Sequence, residues 1–177
     1  MKYGSCIESL GVFLPGQVLA TRDLVKGLAL TQRLKLELMT GIRERRVSSP
    51  GEDSLVLAEK AALDCLSYSK FSKDQIEMLI YCSITKYVGG LKHVYEPAVS
   101  FLLKHKLGCD GAISFDITNA CAGMLSGIHL ASDFIERGVV NNCLVVSGEY
   151  ITSLSRNAAG HIRTSDDLQI ASLTLGD

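Results

Sequence analysis

Ile113-Ser114-Phe115-Asp116-Ile117-Thr118-Asn119-Ala120-Cys121-Ala122-Gly123-Met124 is the stretch whose reading decides the fold. Residues 113–117 alternate β-branched, aromatic and polar side chains over the length of a short strand. From Ala122 to Arg137 the apolar positions Met124, Leu125, Ile128, Leu130, Ala131, Phe134 and Ile135 cover nearly the whole circumference of a helix, the pattern of a helix buried on all sides. Cys121 therefore falls where a strand hands over to a helix N-terminus. Unpaired N–H groups and the positive end of the helix dipole there favour a thiolate over a thiol. Ala122 and Gly123 leave room beside the sulfur for a substrate carbonyl. The plain alternative is a buried cysteine acting as a small hydrophobe.

The chain has 177 residues, 47% of them hydrophobic and 21% charged, enough for one domain with a real core or for half of a larger one. A net charge of −1 gives no reason to expect nucleic acid or an anionic membrane as a partner. Apolar runs are too short to span a bilayer, and the N-terminus lacks the pattern of a signal peptide. The six cysteines form no C-x-x-C pair, and no Cys/His group has zinc-site spacing. They read as reduced thiols of a cytoplasmic protein.

Outward from the cysteine, the pattern alternates strand and helix. Residues 3–14 read as a strand closed by Pro15-Gly16. Thr21 or Asp23 could cap a helix through Leu24, Val25 and Leu28. A second helix runs from about Thr31 and stops at Gly41. A basic extended segment, Ile42 to Val47, follows. Asp53 and Ser54 cap a helix that ends near Tyr68. Met78 to Ile84 is a continuous apolar run, hence a strand covered on both faces. Gly89-Gly90 marks a loop, and Pro97 suits the first turn of a helix stopped by Gly108. Gly138 ends the central helix, and 143–147 is a further buried strand. Asp166 to Ala171 could form a helical turn, and Leu173-Thr174-Leu175 starts what looks like another strand. This order is that of an α/β layered domain. A domain ending as a strand begins is expected to be incomplete.

Thr40-Gly41-Ile42-Arg43-Glu44-Arg45-Arg46, Phe115-Asp116 with Asn119-Ala120-Cys121-Ala122-Gly123, Leu144 to Glu149, and Leu175-Gly176-Asp177 together resemble the β-ketoacyl-ACP synthase III family of the thiolase superfamily. The resemblance covers residues 1–177 as the N-terminal half of that fold. It implies one βαβαβ half of a layered α/β/α/β/α architecture, with the C-terminal half absent from this chain. Tyr95-Glu96-Pro97 is most similar to the OleA-type branch, which joins two long acyl chains. Lys35 and Met39 stand where the acetyl-CoA-primed branch has the Trp and Arg that clamp adenine.

What the resemblance implies is an acyltransferase of fatty acid synthesis that forms carbon–carbon bonds by Claisen condensation of acyl thioesters. Its substrates would be acyl-CoA or acyl carrier protein, without a metal or redox cofactor. Cys121 would be the nucleophile, with its own backbone N–H as an oxyanion donor. Asn119, Ala122 and Gly123 would line the substrate side of the elbow, although Asn119 suits a turn-holding side chain better. Glu96 would be a general base reaching the partner subunit's site, or would simply complement a helix dipole. Arg43 and Arg45 could receive coenzyme A phosphates or an acidic carrier protein; ion pairing within the fold is favoured for at least two of Arg43, Arg45 and Arg46. Gly89 and Gly90 would either let the loop before Glu96 move over an acyl channel or merely turn the chain. The family's His and Asn partners lie in the other half. His129 lies roughly 12 Å along the helix from Cys121 and cannot replace them, and His93, His105 and His161 read as solvated.

The chain alone is thus expected to be inactive, to associate with a C-terminal thiolase-like half or subunit, and to form a dimer along the strand at 113–117. Two other readings stand beside this one. A non-catalytic partner subunit would complete a binding tunnel without chemistry, and a plain α/β binding module would carry an inert Cys121.

Overall fold

The computed structural model describes residues 4–26, 28 and 35–177. In chain order the elements begin β1 (Gln17–Ala20), α1 (Thr21–Val25), α2 (Leu36–Thr40), β2 (Glu44–Val47) and α3 (Ser54–Tyr68). They continue with β3 (Met78–Tyr81), α4 (Val99–Leu107), β4 (Ile113–Asp116), α5 (Gly123–Glu136), β5 (Leu144–Val146) and α6 (Thr152–His161). Short 3-10 turns occupy Lys73–Gln75 and Leu168–Thr174. The described residues fall into two compact units. One takes residues up to Phe13 with Gly51–Glu149, the other Leu14–Pro50 with Tyr150–Asp177.

The first unit is built on a parallel sheet of order β4-β3-β5, with Met78 opposite Ile113 and Leu79 opposite Leu144. Strand alternation sends Leu79 and Tyr81 into a cluster with α3 and α4. It sends Met78, Ile80 and Cys82 to the other face, against Ala131, Phe134 and Ile135 of α5. This two-sided cover explains why the β3 sequence is apolar without a break. All four β3 side chains are essentially inaccessible, each contributing about 1.5–3 kcal/mol by burial. Asp53 caps α3 as its sequence position requires, accepting the Val56 N–H at 3.0 Å.

In the second unit β1 pairs antiparallel with β2, Gln17 opposite Val47. Leu24, Leu36, Ala158, Ile162 and Leu173 form its core. Asp177 organises the unit from its carboxylate. It accepts the Ile151 N–H at 2.5 Å, the Thr152 N–H and the Ser48 N–H each at 2.8 Å, and the Thr152 hydroxyl. Helix α6, whose N-cap Ile151 has no capping side chain, is capped by this distant residue instead.

Several elements depart from the sequence expectation. The described part of 3–14 is not a strand, although its alternation is real. Ser9, Gly11 and Phe13 turn inward while Leu10 and Val12 face out. The inward face meets α3: a Cβ on Gly11 would sit 2.0 Å from the Cys65 nitrogen, and the Val12 N–H bonds Asp64 at 2.8 Å. A helix surface thus stands where a neighbouring strand would have to be. The expected helix from Thr31 starts at Leu36; its first residues lie outside the described ones. Pro97 precedes rather than enters α4, which begins at Val99 after a cis Glu96–Pro97 bond. Leu173-Thr174-Leu175 does not open a strand, since the 3-10 turn buries Leu173 in the core.

Candidate functional site

Between β4 and α5 the chain reverses through Thr118–Ala122. Ala120 takes φ +42°, a left-handed conformation that a β-carbon normally opposes. The turn is fixed by hydrogen bonds from the Ala122 N–H to the Asn119 carbonyl at 3.0 Å and from the Gly123 N–H to the Ala120 carbonyl at 3.1 Å. The Asn119 side-chain amide donates to the Ser126 hydroxyl at 2.9 Å. Such an over-determined, strained turn is common at reactive centres. It leaves the Cys121 side chain exposed, two residues before the first residue of α5. No acidic side chain occupies the first turn of that helix.

The other thiols provide the contrast. Burial pushes the Cys82 thiol up to about 11 and the Cys143 thiol up to about 12, and it also raises Cys109. All three pack in or against the apolar clusters on the two faces of the sheet.

The turn-holding role favoured for Asn119 is the one that its bond to Ser126 supports. Gly123 is buried against β3, with the Cys82 carbonyl oxygen 3.6 Å from an added Cβ, an ordinary contact distance, so it lies on the sheet side of the elbow. Ala122 is exposed beside Cys121. The close approach comes one turn later at Gly127, where a Cβ would lie 2.4 Å from the Cys82 sulfur and 2.8 Å from Val145.

Helix α5 is not buried on all sides. Its small residues Gly123, Gly127 and Ala131 are buried, while Leu125, Ile128 and Leu130 are 70%, 37% and 38% exposed. Close packing selects the small face for the sheet and turns the large aliphatic face outward.

Glu96 lies in an arm formed by residues 84–98. Tyr87 pairs antiparallel with His93, and Val88 and Lys92 close the turn at 3.0 Å. Gly89 and Gly90 form its tip at φ +68° and +91°, a conformation suited to glycine. The rings of Tyr87, His93 and Tyr95 stack in series, 5.4 and 4.6 Å between centroids. Tyr95 and Glu96 themselves are exposed. Among the described residues no hydrogen bond or ion pair joins Glu96 to Cys121.

Three carboxylates hold this arm. Glu149 accepts the N–H groups of Ile84 at 2.6 Å and Thr85 at 3.1 Å, and the Thr85 hydroxyl at 2.7 Å. Asp53, besides capping α3, accepts the Gly89 N–H at 2.7 Å. Asp116 pairs with Lys86 at 2.8 Å and accepts the Val99 and Ser100 N–H groups at 3.2 and 2.9 Å, capping α4 from another strand. Burial alone would raise the Asp116 pKa. The Lys86 and Ser100 bonds outweigh that and hold it below the ordinary carboxylate value. Sequence reasoning assigned Asp116 and Glu149 no role, because side chains accepting backbone N–H groups so far along the chain leave no local spacing signal.

Arg43 and Arg45 part company. Arg43 is exposed, 3.9 Å from Glu37, on the rim of an open depression of about 610 Å³ in the second unit that also carries Arg22 and Lys35. Arg45 is buried, so its assignment to coenzyme A or carrier protein is corrected. Its guanidinium donates to the Leu173 carbonyl, to the Leu175 carbonyl at 3.2 Å and to the Thr21 hydroxyl at 2.8 Å. Arg46 bonds the Pro15 carbonyl at 3.3 Å. Among the described residues no hydrogen bond joins a histidine to Cys121. His105 pairs with Asp110, His161 bonds the Asn157 carbonyl, and His93 lies in the ring stack. Among the described residues no group of three or more His, Cys, Asp or Glu is placed to hold a metal, and no helix is long and apolar enough to cross a membrane.

Comparison with known proteins places this arrangement among relatives. A family model described as 3-oxoacyl-[acyl-carrier-protein] synthase III matches residues 115–159, the segment spanning the elbow, α5, β5 and most of α6. The β-ketoacyl-[acyl-carrier-protein] synthase III of Clostridium tetani is 32% identical over 148 residues, 84% of this chain and 42% of that protein. The Sulfurimonas denitrificans enzyme is 28% identical over 151 residues, 85% and 44% respectively. An acetamide-bound Xanthomonas OleA superposes at TM-score 0.85 with 25% identity, covering 99% of this chain and 56% of the other. The Aquifex aeolicus 3-oxoacyl-[acyl-carrier-protein] synthase III superposes at 0.72 with 28% identity over 84% of this chain and 46% of its own. The chain thus spans about half the length of the relatives it matches, and its fold is thiolase-like.

Proposed function

Since the chain is kin to the β-ketoacyl-ACP synthase III family over about half of that family's length, we propose that it forms part of an acyltransferase that condenses acyl thioesters. The observation that carries this reading is the exposed Cys121 on a strained turn at the start of α5. In the proposed chemistry the Cys121 sulfur attacks a thioester carbonyl. A new carbon–sulfur bond forms, the original one breaks, and coenzyme A or a carrier thiol leaves with the proton. The carbonyl oxygen of the tetrahedral intermediate would be met by N–H groups at the helix start, including that of Cys121. The thioester itself supplies the activation, so no metal or redox group is invoked.

The second step is proposed to be loss of an α-proton from one acyl thioester to give a carbanion. Attack of that carbanion on the other thioester carbonyl forms the carbon–carbon bond as the carbon–sulfur bond at that carbonyl breaks and its thiolate leaves, taking up a proton. Glu96, exposed where the clamped arm returns towards α4, is the proposed base that removes the α-proton. Its distance from Cys121 in sequence and its outward position fit a role in a neighbouring subunit's site. The uncovered face of α5, Leu125 with Ile128 and Leu130, fits a further thiolase-like half or subunit. In the second unit the cationic rim with Arg43 is the proposed contact for substrate phosphate; Arg45 is not.

Glu96→Gln in the complete enzyme separates the two steps. It is expected to load acyl groups on Cys121 at close to the normal rate while slowing condensation by about 10²-fold or more. Condensation at the unaltered rate would remove Glu96 from the chemistry.

A further inference from the structure

We propose that Asp116 is a positioning residue, tying the Glu96 arm to the strand that delivers Cys121. The inference rests on the condensing-enzyme reading for its catalytic consequence but on geometry for the tie itself. Asp116 is the last residue of β4, five residues before Cys121. Its side chain is 9% exposed and has three partners, all at the root of the arm. Lys86 enters the arm, and Val99 and Ser100 begin the helix that follows it.

Both ends of the segment 86–100 therefore converge on one carboxylate. The clamps made by Asp53 and Glu149 hold the tip and the entry from α3 and from the end of β5. Only Asp116 belongs to the segment that runs directly into the elbow. A charge-assisted pair with little solvent access is geometrically exacting, and so are two N–H bonds to the same group. Breaking it releases the root of the arm from β4, with the Asp53 and Glu149 clamps left in place, and touches no group that contacts the acyl chain in the proposed reaction.

The chain has no tryptophan. Tyr95→Trp, made with any tryptophan of the rest of the complete enzyme replaced by phenylalanine, therefore places a single indole on the arm, at a site where the native ring centroid lies 4.6 Å from that of His93. In that background Asp116→Asn and Lys86→Met are expected to lower the indole's fluorescence anisotropy, whereas Lys86→Arg retains it. Where Asp116→Asn fails to fold, Lys86→Met alone decides. In the complete enzyme Asp116→Asn is expected to load acyl groups within about twofold of wild type yet condense about 10²-fold more slowly. Unchanged anisotropy in the pair-breaking variants, or loading and condensation falling together, overturns the proposal. Failure of the unaltered enzyme to load Cys121 counts instead against the condensing-enzyme reading, and the anisotropy then decides the tie by itself.

Discussion

Cys121→Ala in the complete enzyme is expected to reduce condensation by at least about 10³-fold, since removal of a nucleophile eliminates the covalent route and leaves only binding and oxyanion contributions. The fold should survive the change. The Cys121 side chain is exposed, and the turn is held by Asn119, Ala120, Ala122 and Ser126. Stability within about 0.5 kcal/mol of wild type, the usual range for a surface substitution, is therefore expected. The combination matters: lost activity with intact stability assigns chemistry to the sulfur. Activity within a few-fold of wild type would leave the chain a tunnel-completing or binding module.

The second large effect is structural. A Cβ on Gly148 would lie 2.1 Å from the Ser54 carbonyl oxygen and 2.6 Å from the Ala58 nitrogen, both backbone atoms of α3 or its first turn. The same glycine donates its N–H to Ser83 and accepts the Tyr81 hydroxyl at its carbonyl, at 2.9 and 3.1 Å. Neither partner can retreat without breaking these bonds. Gly148→Ala is expected to cost about 3 kcal/mol or more, and on that scale to lower the melting temperature by about 10 °C. Gly160→Ala is the control, because nothing lies within 4 Å of a Cβ at that helical position. There alanine should be neutral or stabilising by up to about 1 kcal/mol. Thermal unfolding of the two variants side by side checks both, and equal melting temperatures would refute the close packing of α3 against the end of β5.

The elements that were legible in the sequence are those whose signal is local. The β3 run, the β4 strand, the Asp53 cap and the glycine stops at Gly41, Gly108 and Gly138 each announce themselves within a few residues, and the structure has them. Helix α5 was legible in extent but not in environment. An apolar circumference does not say which arc a sheet will take, and here packing chose the arc of Gly123, Gly127 and Ala131. Residues 3–14 carried strand alternation but no information on whether a strand or a helix would lie alongside. Helix α6 passed unnoticed because its N-terminus is capped by Asp177 from outside the segment.

The site divides in the same manner. Cys121 was readable because a thiol between a strand and a run of small residues is a local pattern. Arg45 was misassigned because an arginine in a basic run looks the same whether its guanidinium meets solvent or three internal oxygens. The carboxylate clamp of Asp53, Asp116 and Glu149 joins positions far apart in the chain. Only the folded arrangement of β3, β4 and β5 brings them to one arm.

The central claim can be measured on one peptide. The complete enzyme is mixed with a long-chain acyl-CoA, quenched in acid and digested, and the fragment containing Cys121 is weighed. The account predicts a mass gain of one acyl group in place of the thiol hydrogen, on Cys121 and on no other cysteine. A Cys121 peptide that stays unmodified while free coenzyme A is released, or an acyl group found instead on the exposed Cys6, would contradict it.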